Sequence, residues 1–248
     1  MERQCLRPRD RERSVMVQNI PAPDPDISNL VLEDDTPVDN LPSAKQQRLL
    51  VEPLYSTNPI SPPFLADANV GLFYAVKQPP IVPDVFLSLG VQVPSDWSRK
   101  ENRSYFFWEF GKPPEVVIEI VSNRDGEELS RKLRDYAQIG VAYYVVFDPL
   151  LQLQAPELMN GKLVRVFGLT VGRYRELAEP CWLETVGLGL TLWEGEYEQV
   201  SGQWLRWCDQ QGIIISTGAE DRDQQRQRAE RLAEKLRSLG VDPSELER

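Results

Sequence analysis

The sequence holds no histidine in its 248 residues. That absence excludes Ser-His-Asp triads, Cys-His dyads, His-ligated zinc and every hydrolysis built on an imidazole base. Chemistry here must run on carboxylates, Lys, Tyr, Cys or a bound metal. Cysteine is scarce as well: Cys5, Cys181 and Cys208 stand far apart, with no CxxC pair. A zinc ribbon is thereby excluded and a disulfide framework is not expected, so the thiols read as the reduced cysteines of a cytoplasmic protein. No run approaches the ~20 apolar residues of a membrane span. The basic start MERQCLRPRDRERSV has no apolar segment behind it, so no secretory signal is expected. Positive charge is in deficit too, with 28 Lys+Arg against 38 Asp+Glu and a net charge of -10.

What is present supports a real core: 41% of residues are hydrophobic and six are Trp. The chain divides into three parts. Residues 1–40 end in an acidic, Pro-rich stretch: 19–40 carry six acids, no base and four prolines. Such a segment buries too little apolar surface to offset its ordering entropy, so a disordered tail is expected. Residues 41–218 form the folded domain. Residues 219–248 carry seven bases and eight acids and predict a polar helix with a thin Leu232, Leu236, Leu239 seam, stopped by Gly240.

Within the domain, PSAKQQRLLVEPLYS (42–56) predicts a short helix that Ser43 can cap and that Pro53 limits. Residues 70–76 and 82–93 predict strands. In the second, Asp84, Phe86 and Ser88 share one face, and Val85, Leu87 and Leu89 the other. PPEVVIEIVS predicts a strand over 115–121, buried on both faces. A helix from Gly126 to Gly140 and the strand VAYYVVFDP follow, a strand–helix–strand crossover in one sheet. Strands in hairpins are expected over 162–207 as KLVRVFGL, GRYREL, LGLTLWEG and EYEQV.

Two carboxylates are out of place in this pattern. Glu119 lies inside an otherwise buried strand, and Asp84 opens the earlier one. A carboxylate in such a run costs several kcal/mol unless it is paired, protonated or bound to a cation. On the following helix, with Leu129 set at zero, Lys132 falls near −60°, between Tyr136 near −20° and Ile139 near −80°, inside the apolar arc that these two form with Leu133 and Ala137. A lysine directed inward calls for a core partner, and Glu119 is at hand. Two carboxylates on neighbouring strands suit a divalent cation with oxygen ligands.

These residues also carry a resemblance. VPDVFLSL, PPEVVIEIVS, a helix with Lys and Tyr, and GVAYYVVFDP, in that order, resemble the Uma2 family of restriction-endonuclease-like proteins in the PD-(D/E)xK nuclease superfamily. The likeness covers about 42–200. It implies an α/β (α+β) fold: a restriction-endonuclease-like mixed sheet flanked by helices, here with extra β-hairpins and the C-terminal helix. Pro83-Asp84 matches the PD motif and Glu119 the following acid. Val121 stands where the lysine of that motif belongs, and Lys132 takes its place from the helix. The resemblance further implies Mg²⁺ or Mn²⁺ held by Asp84, Glu119 and the Ile120 carbonyl, and a supporting group on the early helix at Glu52 or Gln46. Tyr136, one turn beyond Lys132, would support it. The activity implied is metal-dependent hydrolysis of phosphodiester bonds in DNA, by a chain that need not bind a membrane and that forms a homodimer if it cuts both strands. The alternative is a catalytically silent module of the same fold that binds DNA or protein.

Overall fold

The computed structural model describes residues 40–124 and 127–239. The tail expected over 1–40 lies outside them except for Asn40, as does the stop at Gly240. Among the described residues, four α-helices and eleven strands build three layers. Helix α1 (Leu41–Ser56) starts earlier than expected, because Asn40, not Ser43, is its cap: the Asn40 side chain accepts the Ser43 N–H at 2.9 Å. It also runs straight through Pro53. A proline costs a helix interior about 3 kcal/mol. Burying Leu49, Leu50 and Leu54, at roughly 1.5–3 kcal/mol each, outweighs that loss.

The central sheet has the order β1-β3-β5-β6-β7-β8, comprising β1 (Phe64–Ala68), β3 (Val85–Leu89), β5 (Val116–Ile120), β6 (Tyr143–Phe147), β7 (Val164–Thr170) and β8 (Arg173–Glu176). β1, β3 and β5 form an antiparallel meander, and β5 and β6 run parallel. Between those two lies helix α3 (Arg131–Ile139), which closes the expected crossover. The helix is shorter than expected. A single 3₁₀ turn at Glu127–Leu129 precedes it, and Gly140, in the left-handed conformation, ends it. Strand β5 is buried throughout, as its unbroken apolar run requires.

The two faces of this sheet carry separate cores. On one, Val85, Leu87, Val116, Ile118 and Ile120 pack with Leu50 and Leu54 of α1 and with a second sheet. That sheet is β11-β10-β9, from β9 (Cys181–Leu183), β10 (Leu188–Tyr197) and β11 (Val200–Cys208). On the other face, Phe86, Val117, Val121 and Val146 pack with Tyr136 of α3 and with Tyr105. The division of β3 and β5 residues between faces is the one their alternation predicts.

Two further sequence expectations are corrected. The strand over 70–76 shrinks to β2 (Leu72–Phe73), parallel to β4 (Tyr105–Phe106), because the chain turns at Ala75–Gln78. A four-residue helix, α2 (Phe107–Phe110), follows β4. EYEQV is not one strand. Glu198 and Gln199, both at positive φ, form the β10–β11 turn that divides it. Neither residue is glycine, so the usual hairpin signal is missing. Glu198 instead anchors the turn to α1 through Lys45 (2.8 Å) and Arg48 (2.6 Å). Helix α4 (Gly218–Ser238) opens with a Thr217–Glu220 capping box and leaves Leu232 and Leu239 exposed. No described helix is long and apolar enough to cross a membrane.

Candidate metal and nuclease site

The β3–β5 register pairs Val85 with Ile118. Continued by one residue, it sets Asp84 opposite Glu119. Directly opposed residues of antiparallel strands have Cβ atoms roughly 5 Å apart. Like charges so placed repel, so this pair needs compensation. Asp84 stands where β3 begins, just after the buried Pro83. Its Oδ2 accepts the Ile120 N–H at 2.6 Å, and its Oδ1 accepts from Gln47 Nε2 at 3.2 Å.

Glu119 is 1% exposed. Lys132 Nζ donates to its Oε2 at 2.7 Å, and the Tyr136 hydroxyl to its Oε1 at 2.7 Å. Lys132 thus points inward from the first turn of α3, and Tyr136, one turn on, joins it on the same carboxylate. Tyr136 therefore serves Glu119, not Lys132. Burial pushes the Glu119 carboxyl up to about 8, Lys132 pulls against that and Asp84 adds to it. For Lys132, burial works to lower the ammonium, but Glu119 overrides it and the net direction is upward. Burial and the neighbouring Glu119 hold the Tyr136 phenol well above its ordinary range, so it stays a donor. Lys132 is thus the cation paired with Glu119 at this buried site, and burial holds the Glu119 carboxyl toward its protonated form.

The early-helix residues expected in the site are elsewhere. Gln46, 1% exposed, bonds both backbone groups of Leu205 on β11: its Nε2 donates at 2.8 Å and its Oε1 accepts at 3.1 Å. Glu52 accepts the Gly218 N–H at 3.0 Å and so caps α4. The residue that reaches Asp84 is Gln47, which also exchanges hydrogen bonds with Asn69. Sequence reasoning missed it, although Gln47, Leu50 and Leu54 share the i, i+3, i+7 face of α1. Glu115, on the same face of β5 by alternation, is not in the site. It pairs with Lys112 (2.5 Å) and accepts the Leu89 N–H (2.7 Å) at the far end of β3.

Among the described residues, no group of three His, Cys, Asp or Glu side chains is placed to hold a cation. The donors in reach are two carboxylates, Asp84 and Glu119, with main-chain and water oxygens to complete a shell. A strand residue presents its N–H and C=O along the same edge. The Ile120 carbonyl therefore faces the edge where its N–H meets Asp84. An all-oxygen donor set of this kind fits Mg²⁺ or Mn²⁺ and not a soft metal. A cavity of about 710 Å³ lies at the second sheet beside Trp182, Leu190 and Cys208 and includes none of these residues.

The family model Uma2, described as "Putative restriction endonuclease", matches residues 31–183. The chain belongs to the Uma2 family. The matched stretch contains α1, the whole central sheet, α3 and every residue of the Asp84–Glu119–Lys132 cluster. The mixed sheet with its flanking helices is the restriction-endonuclease-like fold. A search of curated proteins returned no match. The second sheet beyond Leu183 and helix α4 fall outside the Uma2 match.

Proposed function

We propose that this protein is a metal-dependent endonuclease that hydrolyses phosphodiester bonds in DNA, with Asp84 and Glu119 as metal ligands and Lys132 as the catalytic cation. One observation carries the reading: two carboxylates face each other across β3 and β5, one of them buried, with a single lysine on it. Mg²⁺ or Mn²⁺ bound there would acidify a water and neutralise charge on the phosphate. The protein's own part is positioning. Ile120 N–H and Gln47 fix the two oxygens of Asp84, so its carboxylate is oriented before any cation arrives. Tyr136 fixes one oxygen of Glu119. Lys132, its side chain 23% exposed, sits between the buried carboxylate and solvent. From there it stabilises charge developing on a phosphate oxygen or orients the attacking water.

A second reading has its own observation. Both oxygens of Glu119 already have donors, Lys132 and Tyr136, as a catalytically silent module would have. Calorimetry and plasmid nicking separate the two. The endonuclease binds Mn²⁺, loses that binding in Asp84→Asn and Glu119→Gln, and nicks plasmid DNA only with metal. Lys132→Met keeps the metal and loses roughly 10²–10³ in rate. Mn²⁺ binding without cleavage of any nucleic acid supports the silent module. No Mn²⁺ binding at all overturns the site.

A further inference from the structure

Of the six tryptophans, all among the described residues, Trp97 is the exposed one, at 63%. An aromatic ring of that size left in water forgoes more than 100 Å² of burial, so its position needs a reason. It is not loosely held. It sits in the segment between β3 and β4, which is tied by its own polar groups. Asp96 Oδ1 accepts from Ser98 N (3.0 Å) and Ser98 Oγ (2.6 Å), and Asn102 Nδ2 donates to the Asp96 carbonyl (2.6 Å). Arg103 donates to the carbonyls of Trp97 (3.0 Å) and Ser98 (2.9 Å). The backbone of Trp97 is thus gripped on both sides while its ring faces out.

Arg103 is the second element. Carbonyls hold its exposed guanidinium, and it makes no ion pair among the described residues. Its full charge faces solvent with N–H donors to spare. Arg99, four residues earlier, is paired with Glu101. Beneath the pair, a cavity of about 70 Å³ is lined by Trp97, Arg103, Phe110, Asp67 and Phe86. It has room for about five waters, not for a nucleobase, so a base would stack on the outer face of Trp97. Phe86 lies two residues beyond Asp84 on the same face of β3, about 7 Å along the strand. The platform and the carboxylate pair therefore open on one side of the sheet.

We propose that Trp97 and Arg103 form a stacking platform for an unpaired stretch of nucleic acid, Trp97 taking the face of a base and Arg103 the adjacent phosphate. The proposal rests on the nucleic-acid reading of the Asp84–Glu119 site and deepens it, since it names an unpaired strand as the substrate class. A base offers its face to an exposed ring only where it is unstacked, and each such contact is worth about 1–3 kcal/mol. A chain with net charge -10 draws little affinity from phosphates alone, which gives stacking its importance.

The test is binding of a fluorescein-labelled oligothymidine strand by anisotropy, in EDTA, beside a duplex of the same length. The wild type binds the single strand more tightly than the duplex. Trp97→Ala weakens strand binding roughly five- to a hundredfold, Trp97→Phe keeps most of it, and Arg103→Gln lowers the salt slope by about one. Because Trp97 is exposed, Trp97→Ala keeps its fold, and unchanged Mn²⁺ calorimetry at Asp84 and Glu119 verifies that. Equal strand binding by Trp97→Ala and wild type, or duplex binding as tight as single-strand binding, overturns the platform and leaves the metal site standing. Trp97-dependent strand binding in a protein that neither binds Mn²⁺ nor nicks DNA supports the platform and refutes the endonuclease.

Discussion

Replacing Glu119 by Gln tests the electrostatics of the site without its chemistry. The folded-state carboxyl titrates near 8 against a reference of 4.5. At about 1.4 kcal/mol for each pH unit, the ionised folded protein is penalised by about 5 kcal/mol. The sign follows from linkage. A carboxyl raised in the folded state favours folding most when it is protonated, below 4.5, and that contribution is lost as pH rises toward 8. From about pH 5.5 to about pH 9, roughly 3 kcal/mol of stability disappears in the metal-free wild type. Glu119→Gln has no proton to lose there. It does carry a fixed cost, because an amide NH2 replaces one of the two oxygens that now accept from Lys132 and Tyr136, and Lys132 loses its anionic partner. The slope with pH, not the absolute stability, is therefore what reports Glu119. Urea unfolding in EDTA at the two pH values measures it. Wild type loses stability toward pH 9 and the variant stays flat. Excess Mn²⁺ restores the wild type at pH 9 and leaves the variant unchanged, since only an ionised Glu119 gains a cation. Parallel pH dependences in the two proteins would refute the raised carboxyl and with it the electrostatic demand for a metal.

Other consequences follow from neighbouring contacts. Gln47→Leu removes one orienting donor from Asp84 and weakens Mn²⁺ binding roughly 10–100-fold, read by calorimetry, with little change in melting temperature. Gln46→Leu does the opposite: it strands the Leu205 N–H and C=O, costing about 2–4 kcal/mol in urea unfolding, and leaves activity per folded molecule unchanged. Affinity for a strand falls only shallowly with salt, with a log–log slope of magnitude about two or less, because the platform sets a single base, Arg103, beside a phosphate.

How far the sequence could lead depended on where a residue's environment is decided. Glu119 and Lys132 were legible because both break a local pattern, a charge in an apolar run and a cation on an apolar helix arc. Local pattern also assigned Phe86 and Val85 to opposite cores. It failed where a contact links distant segments. Gln46 and Gln47 are adjacent and chemically identical, and only the placement of β11 and of Asp84 decides which one serves the site. The Glu198–Gln199 turn was hidden for the same reason: ion pairs to α1, 150 residues away, stand in for the glycine that would have announced it. Asn40 displaced Ser43 as cap by a matter of three residues, beyond what propensity resolves.

The acidity of the chain gains a different meaning once its ion pairs are placed. Lys45 and Arg48 clamp Glu198, Lys162 and Arg165 hold Glu176, Arg206 holds Glu220 and Lys112 holds Glu115. These bases join turns, strands and helices to one another, so they are spent on architecture and cannot also meet phosphates. Asp84, Glu119 and Lys132 together carry one net negative charge when both acids are ionised, which repels a phosphate. A divalent cation reverses that sign. On the proposed endonuclease reading, substrate affinity and catalysis at this site would both be switched by the same ion. The proposed Trp97 platform, built on stacking and one arginine, can hold a strand before the ion arrives.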